Sequence, residues 1–377
     1  MDPVCICEAD ILTAYGQGLD PLWEGIFSGK TAVKEVRRFS TEHYPSKIAA
    51  LMPEEFCNPD LPLIRQWMTL LAKNSRAIPS SADWIFASSK GEIDVFEKQM
   101  RTEGDIPKGI RIPETLSELK KIWAFEKEGI FLTSACTSSM TAIAYATRMI
   151  RSGKREAMVV LTADAVTPFI FSGFSSLAAL DPEPARPFDS GRRGLSLGES
   201  AGYMLLMKRE KALKENRPIL GIIQGWGCSD DANHVTGPSR DGSGLRWAIE
   251  SALQTGDIRP AGIRSVKTHG TGTLYNDSME LKAFQSVFKQ FTLPVYSIKG
   301  GTGHTLGACG LTEILFALRS SRTGLIPPAL NVREIDPEAT GWVTQMKRQV
   351  EPGPVLCVNS GFGGTNSAVI VNAEWKE

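Results

Sequence analysis

Gly129-Ile-Phe-Leu-Thr-Ser-Ala-Cys-Thr-Ser-Ser-Met140 is an apolar run that gives way to small hydroxylated residues around one cysteine. Gly129 to Thr133 reads as a short buried strand and Ser134 to Ser138 as a turn. Beyond it, Met140, Ile143, Ala144, Thr147 and Ile150 share one face at helical spacing, and Ala157-Met-Val-Val-Leu161 reads as the next strand. The same order recurs late in the chain. Pro294-Val-Tyr-Ser-Ile298 is a strand, Lys299 to His304 a glycine-rich turn, about Leu311 to Arg319 a helix, and Val355-Leu-Cys-Val358 the following strand. Strands alternating with helices predict an α/β chain whose parallel sheets are covered on both sides. The recurrence predicts two α/β halves, residues 1–217 and 218–377, meeting near Arg217.

Composition narrows the function classes. Of 377 residues, 42% are hydrophobic, enough for a substantial core. Lys plus Arg equals Asp plus Glu at 42 each, so no global field draws the chain to nucleic acid or an anionic membrane. The first sixteen residues carry acids and two cysteines rather than a basic region and an apolar core, and no stretch reaches the roughly 18 apolar residues of a spanning helix. A cytoplasmic protein with no nucleic-acid or membrane partner is expected. The seven cysteines are scattered, with only Cys5 and Cys7 close together, so free thiols are expected rather than a disulfide framework or a metal site.

Four blocks carry chemistry. Cys136 stands between a strand and a helix, where free N–H groups and the helix dipole favour a thiolate, although a lone cysteine is also commonly a buried structural residue. In Lys267-Thr-His-Gly-Thr-Gly-Thr273, His269 follows an apolar strand, and Gly270 and Gly272 would let a substrate approach its ring closely; a satisfied loop histidine competes. Asp277 and Glu280 just beyond fit a capping box as well as a catalytic role. Ser297 to Gly310 sets Lys299 and His304 around a glycine-rich turn that opens a helix. The lysine precedes the glycines and no Gly-Lys-Ser/Thr closes them, which excludes a P-loop. Asn359-Ser-Gly-Phe-Gly-Gly-Thr-Asn366 is a strand and a glycine turn able to offer N–H groups to an oxyanion.

These blocks, in this order, resemble the β-ketoacyl synthases of the thiolase superfamily over nearly the whole chain. Flanking segments fit too: Leu12 to Gly16, Trp23 to Gly29, Arg186-Pro-Phe-Asp189 with Gly198 to Gly202, and Asp231 to Thr236. The resemblance implies a thiolase-like duplicated five-layer α-β-α-β-α architecture with two mixed sheets. It implies an acyltransferase in fatty acid or polyketide synthesis that joins an acyl-Cys enzyme to malonyl-acyl carrier protein by decarboxylative Claisen condensation. Cys136 then accepts the acyl chain, His269 and His304 hold the malonyl thioester carbonyl, and Lys299 orients the site. Asp277 and Glu280 support it, and the N–H groups of Cys136 and Phe362 form the oxyanion hole. Thr236, Thr271 and Thr273 match phosphopantetheine-binding positions, while His234 is read as structural. The enzyme itself would bind no cofactor or metal, its substrates riding on the phosphopantetheine of acyl carrier protein, and it would pair as a homodimer or as a heterodimer with a related ketosynthase-like subunit.

Three features depart from the family pattern. The last block is one residue short, since Ser360 runs straight to Gly361-Phe362. Ala178 stands where relatives often carry a basic residue for carrier docking, and the stretch from Arg65 to Gly129 is compact. Arg65, Lys73 and Arg76, on the polar side of a helix through Leu63, Ile64, Trp67, Met68, Leu70 and Leu71, are expected to offer a basic docking patch. A thiolase would carry a second reactive cysteine where Phe362 stands, and synthases using coenzyme A primers lack the Lys299–His304 block. A non-catalytic chain-length-determining partner would usually have lost Cys136.

Overall fold

The computed structural model describes residues 3–76, 78–102, 112–289 and 291–373. The path of the large sheet takes five strands from the first part of the chain: β1 (Val4–Thr13), β2 (Asp83–Ala87), β3 (Ile130–Leu132), β4 (Ala157–Asp164) and β5 (Ser200–Lys208). Five come from the second: β6 (Gly221–Asp230), β7 (Ser265–Lys267), β8 (Val295–Tyr296), β9 (Val355–Ser360) and β10 (Thr365–Asn372). Their spatial orders are β3-β2-β4-β5-β1 and β8-β7-β9-β10-β6, the same permutation twice.

In each set the first three strands are parallel and the last two join antiparallel. The sheets are therefore mixed, as the family likeness implies, and not the purely parallel sheets that strand–helix alternation suggests. They meet at a seam where Val4–Ile6 of β1 pairs antiparallel with Gly221–Ile223 of β6, so hydrogen bonding runs unbroken across both.

Seven helices build the other layers: α1 (Leu63–Asn74), α2 (Ile112–Ile122), α3 (Ser138–Arg151), α4 (Pro168–Ser176), α5 (Ser243–Gly256), α6 (Leu274–Phe288) and α7 (Cys309–Thr323). Strand alternation decides which layer each side chain joins. Ile85, Ala87 and Val160 point inward with Tyr296, Cys357 and Val369 onto Met140, Ile143 and Ile150 of α3 and Leu311, Ile314 and Leu318 of α7. Trp84, Phe86, Val159 and Leu161 point the other way, onto Trp67, Met68 and Leu71 of α1 and Leu119 of α2. Val266, Leu356 and Ile370 pack outward on α5 and α6. Helices, sheet, central helix pair, sheet, helices: these are the five layers. Truncating a fully buried member of the middle layer such as Ile143 should cost about 2–5 kcal/mol.

Some local expectations change. The strand at 129–133 lies at a sheet edge, with Ile130 45% exposed, because among the described residues β3 pairs only with β2. Helix α7 is longer than its apolar run suggests, since Thr312, Glu313, Ser320 and Ser321 are buried along with it. The turn before it contains one helical turn, Lys299–Thr302. The compact stretch from Arg65 to Gly129 includes residues 103–111, which lie outside the described residues. Among the described residues no helix is long and apolar enough to cross a membrane.

Candidate active site

Both central helices begin at the same place. Ala135 takes a left-handed conformation, φ 47°, which turns the chain sharply before α3 and puts Cys136 at the bend. From the other half, His304 precedes a second such residue, Leu306 at φ 53°, ahead of α7. The two side chains meet, Cys136 Sγ lying 3.0 Å from His304 Nε2. The His269 ring stands nearly perpendicular to that of His304, at 87° and 5.1 Å between centroids.

All three line one cavity of about 340 Å³, with Thr236, Thr271, Thr273 and Phe362 also on its wall. Leu177, Leu274 and Tyr275 lie exposed around it. A larger cavity, about 540 Å³ beside Arg38, Leu61 and Asp94, has none of these residues on its wall.

The charge of the site is set by burial and by one cation. Burial pushes the Cys136 thiol up to about 12, although Lys299 and the Phe362 amide facing the sulfur pull it down. The thiolate expected from the helix dipole is thus corrected: burial outweighs half a charge at a helix end, and Cys136 rests as a thiol. Burial, with Lys299 nearby, holds both imidazoles well below the ordinary 6.5, so they are neutral. Burial opposes the Lys299 ammonium, but the Glu313 carboxylate more than restores it. Lys299 Nζ lies 3.3 Å from His269 Nδ1 and donates to the His269 carbonyl at 2.7 Å. An ammonium can only donate, so this contact leaves the His269 proton on Nε2, facing the cavity. Among the described residues His304 Nδ1 is buried without a partner, so only the Nε2 contact with Cys136 bears on its tautomer.

Asp277 and Glu280 serve the loop rather than the cavity. Glu280 accepts from the His269 and Gly270 N–H groups at 2.6 Å each, and from Asn276 at 2.9 Å. Asp277 accepts from Thr271, Gly272 and Phe188 N–H groups. The capping-box reading fails, because α6 begins at Leu274 and Asp277 is already inside it. Burial, with Asp277 beside it, raises the Glu280 carboxyl to about 8 against the pull of those donors.

The glycines also have a structural use. A Cβ on Gly270, at φ 45°, would meet Ser297 Cβ at 2.5 Å, and one on Gly272 would meet the Gly194 carbonyl at 2.8 Å. They let the loop pack closely against protein. At the last block, a Cβ on Gly361 would come within 3.1 Å of the Cys136 nitrogen, so that turn sits directly over the bend. The Phe362 ring stacks on Phe174 of α4, 5.7 Å between centroids. Asn366 and Asp231 tie this turn to the segment carrying Thr236, with Asn366 Nδ2 donating to Asp231 at 2.7 Å. Thr236 is exposed, and Thr271 and Thr273 hydroxyls are 2.9 Å apart. His234 Nδ1 accepts from the Thr236 and Gly237 N–H groups, a turn-closing role.

The basic patch on α1 does not form as expected, because Arg65 makes a two-pronged ion pair with Glu92, at 2.5 and 2.8 Å. Two residues next to the site escaped the sequence reading. Glu313 accepts from Lys299 and from the buried Lys267, both at 2.5 Å. A single acid inside the apolar run Leu311 to Leu318 was the available signal for Glu313.

A twice-repeated strand order around two central helices, with a thiol and two imidazoles where the helices begin, defines the thiolase-fold class of condensing enzyme. Residues 126–212 match the N-terminal domain of beta-ketoacyl synthases and residues 220–333 the C-terminal domain. The chain belongs to the β-ketoacyl synthase family. It is 28% identical over 410 residues to 3-oxoacyl-[acyl-carrier-protein] synthase 2 of Vibrio harveyi, covering 97% of each chain. To the tetracenomycin polyketide synthase ketoacyl synthase alpha subunit of Streptomyces glaucescens it is 33% identical over 261 residues, 66% of this chain and 61% of that one. Among solved structures, the ishigamide ketosynthase/chain length factor superposes with a TM-score of 0.90 at 25% identity, covering 99% of this chain and 100% of that one.

Proposed function

We propose that this chain is a 3-oxoacyl-[acyl carrier protein] synthase, carrying out decarboxylative Claisen condensation in fatty acid or polyketide synthesis. The observation that carries the reading is the 3.0 Å contact of Cys136 Sγ with His304 Nε2 beside His269, at one cavity. Cys136 attacks the acyl thioester on the carrier's phosphopantetheine arm. His304 Nε2 takes the thiol proton and returns it to the departing carrier sulfur. Because burial keeps the free thiolate scarce, the proton leaves only as the new C–S bond forms.

Malonyl thioester then binds with its carbonyl oxygen on His269 Nε2–H and on the Nε2–H tautomer of His304. As the bond to the carboxylate breaks and carbon dioxide leaves, the enolate oxygen gains charge where two neutral N–H donors already point. The enolate carbon attacks the acyl-Cys carbonyl, and that oxyanion rests on the N–H groups of Cys136 and Phe362. The C–S bond breaks, releasing the 3-oxoacyl thioester, and the Cys136 thiolate takes a proton from solvent, the one proton that decarboxylative condensation consumes. Lys299 holds the His269 tautomer, Asp277 and Glu280 hold the loop, and Thr236, Thr271 and Thr273 receive the phosphopantetheine arm.

The repeated strand order supports a division into halves at 217/218. Acyl carrier protein is the substrate carrier and a related subunit, like or unlike, the partner; unpaired cysteines throughout support a cytoplasmic site of action. Intact-protein mass after incubation with acyl carrier thioester tests the reading. An acyl adduct on wild type, absent from Cys136→Ala, is expected. No adduct on wild type would instead favour a non-catalytic partner of a ketosynthase.

A further inference from the structure

Lys267 has no part in the chemistry above, yet it is among the most deeply buried cations of the molecule, with no exposed surface. It ends β7 two residues before His269. Its ammonium donates to the Thr268 carbonyl at 2.6 Å and reaches Glu313 Oε1 at 2.5 Å. The same oxygen accepts from Lys299 at 2.5 Å, while Glu313 Oε2 is buried without a partner. Two cations thus converge on half of one carboxylate. A single lysine would make a neutral pair with Glu313; the second leaves a net positive charge among fully buried groups.

We propose that Lys267 is a positioning residue of the condensation site, a second cation that shares Glu313 with Lys299 and sets the positive charge felt at the two imidazoles where the enolate forms. The inference rests on the condensation reading above. Three observations support it. Sharing Glu313 leaves Lys299 less neutralised, so its remaining charge falls on the His269 Nδ1 it faces. Lys267 and Lys299 both act electrostatically on His269 and on His304, in the sense that keeps the rings neutral donors. Finally, the two lysines are driven apart in acidity, as paired groups in one site commonly are. Burial brings Lys267 down to about 8, with Glu313 opposing and Lys299 assisting, whereas Lys299 is held above its ordinary value.

Every ionisable group facing Lys267 bears on this. Glu313 and Cys309 come from α7, Cys357 from β9, Tyr296 from β8, and Lys299 from the turn after β8, with His269 and His304 toward the cavity. Burial pushes Cys309, Cys357 and Tyr296 up and both imidazoles down, so none of these titrates between pH 7 and 9. Among the described residues Glu280, at about 8, is the nearby competitor, and the test must separate it from Lys267.

The test is malonyl-carrier decarboxylation and condensation by the full chain, measured from about pH 7 to pH 9, for wild type, Lys267→Gln and Lys267→Arg. Wild type should lose roughly three- to tenfold in rate through an inflection near 8, less than the loss of a directly bonding donor would cause. Lys267→Gln should start at the lowered rate and show no inflection. Lys267→Arg, charged throughout, should keep its pH 7 rate at pH 9. A flat wild-type profile overturns the inference without any variant. An inflection that persists in Lys267→Gln belongs to Glu280 and overturns it equally. A wild type with no decarboxylation at any pH would instead sink the condensation reading itself.

Discussion

The two strand–turn–helix units that meet at the cavity, β3 to α3 and β8 to α7, occupy equivalent places in the repeat and do opposite electrostatic work. The first turn is short, small and uncharged, and presents one thiol at the bend beside Ala135. The second is longer, contains a helical turn, and brings His304 together with the buried Lys299–Glu313–Lys267 cluster. Duplication supplied two helix starts at one point. Divergence then gave the nucleophile to one and the cationic, hydrogen-bonding machinery to the other. Separate halves of the reaction should therefore be separable by mutation.

Removing the thiol breaks the comparison most strongly. Cys136→Ala should lower condensation by at least about 10³-fold while decarboxylation of the malonyl carrier survives, as read by carbon dioxide release against product formation. If both fall together, the two units do not divide the labour. The reciprocal change, His304→Ala, should lower decarboxylation itself by roughly 10²–10³-fold, the scale of one lost oxyanion donor. Full decarboxylation in that variant would remove His304 from the enolate site.

A smaller effect separates the units by stability. In the unfolded chain a histidine gains its proton near 6.5, while the buried native rings stay neutral. Each ring therefore contributes stability that is complete above that value and is lost as pH falls below it, by about 2 kcal/mol per ring at pH 5. Denaturant unfolding from about pH 7 to 5 should cost wild type more than His304→Asn by that amount. Equal losses would mean that the native ring takes up a proton as readily as the unfolded one.

Much of this arrangement was legible in the chain. The inward face of α3 could be read from Met140, Ile143, Ala144, Thr147 and Ile150, because helical periodicity and burial agree there. Cys136, His269 and His304 stood out as a scarce residue type or a small-residue context, and they do share a cavity. What escaped depends on partners distant in sequence. Nothing local to Arg65 announces Glu92, and nothing local to Lys267 announces that Glu313, 46 positions on, must divide its charge between two lysines. The packing use of Gly270 and Gly272 was hidden for the same reason, since the atoms that need their bareness, on Ser297 and Gly194, lie elsewhere in the chain. Thiol acidity differs from expectation because a helix end is visible in sequence and burial by distant segments is not.

The seam between β1 and β6 has a consequence for how the molecule is made. Among the described residues, apart from a brief tuck against Gly16–Gln17, β1 pairs only with Ser200–Lys208 and with Gly221–Ile223. At the ~5–20 residues per second of synthesis, the strand waits roughly 10–40 s before the ribosome has delivered the first of them. For that interval the apolar strand with Val4, Cys5, Ile6, Ile11 and Leu12 has helices to pack on but lacks its long strand partners. Such long-range closure slows folding, and the nascent chain would be a natural client for a chaperone that shields its opening segment.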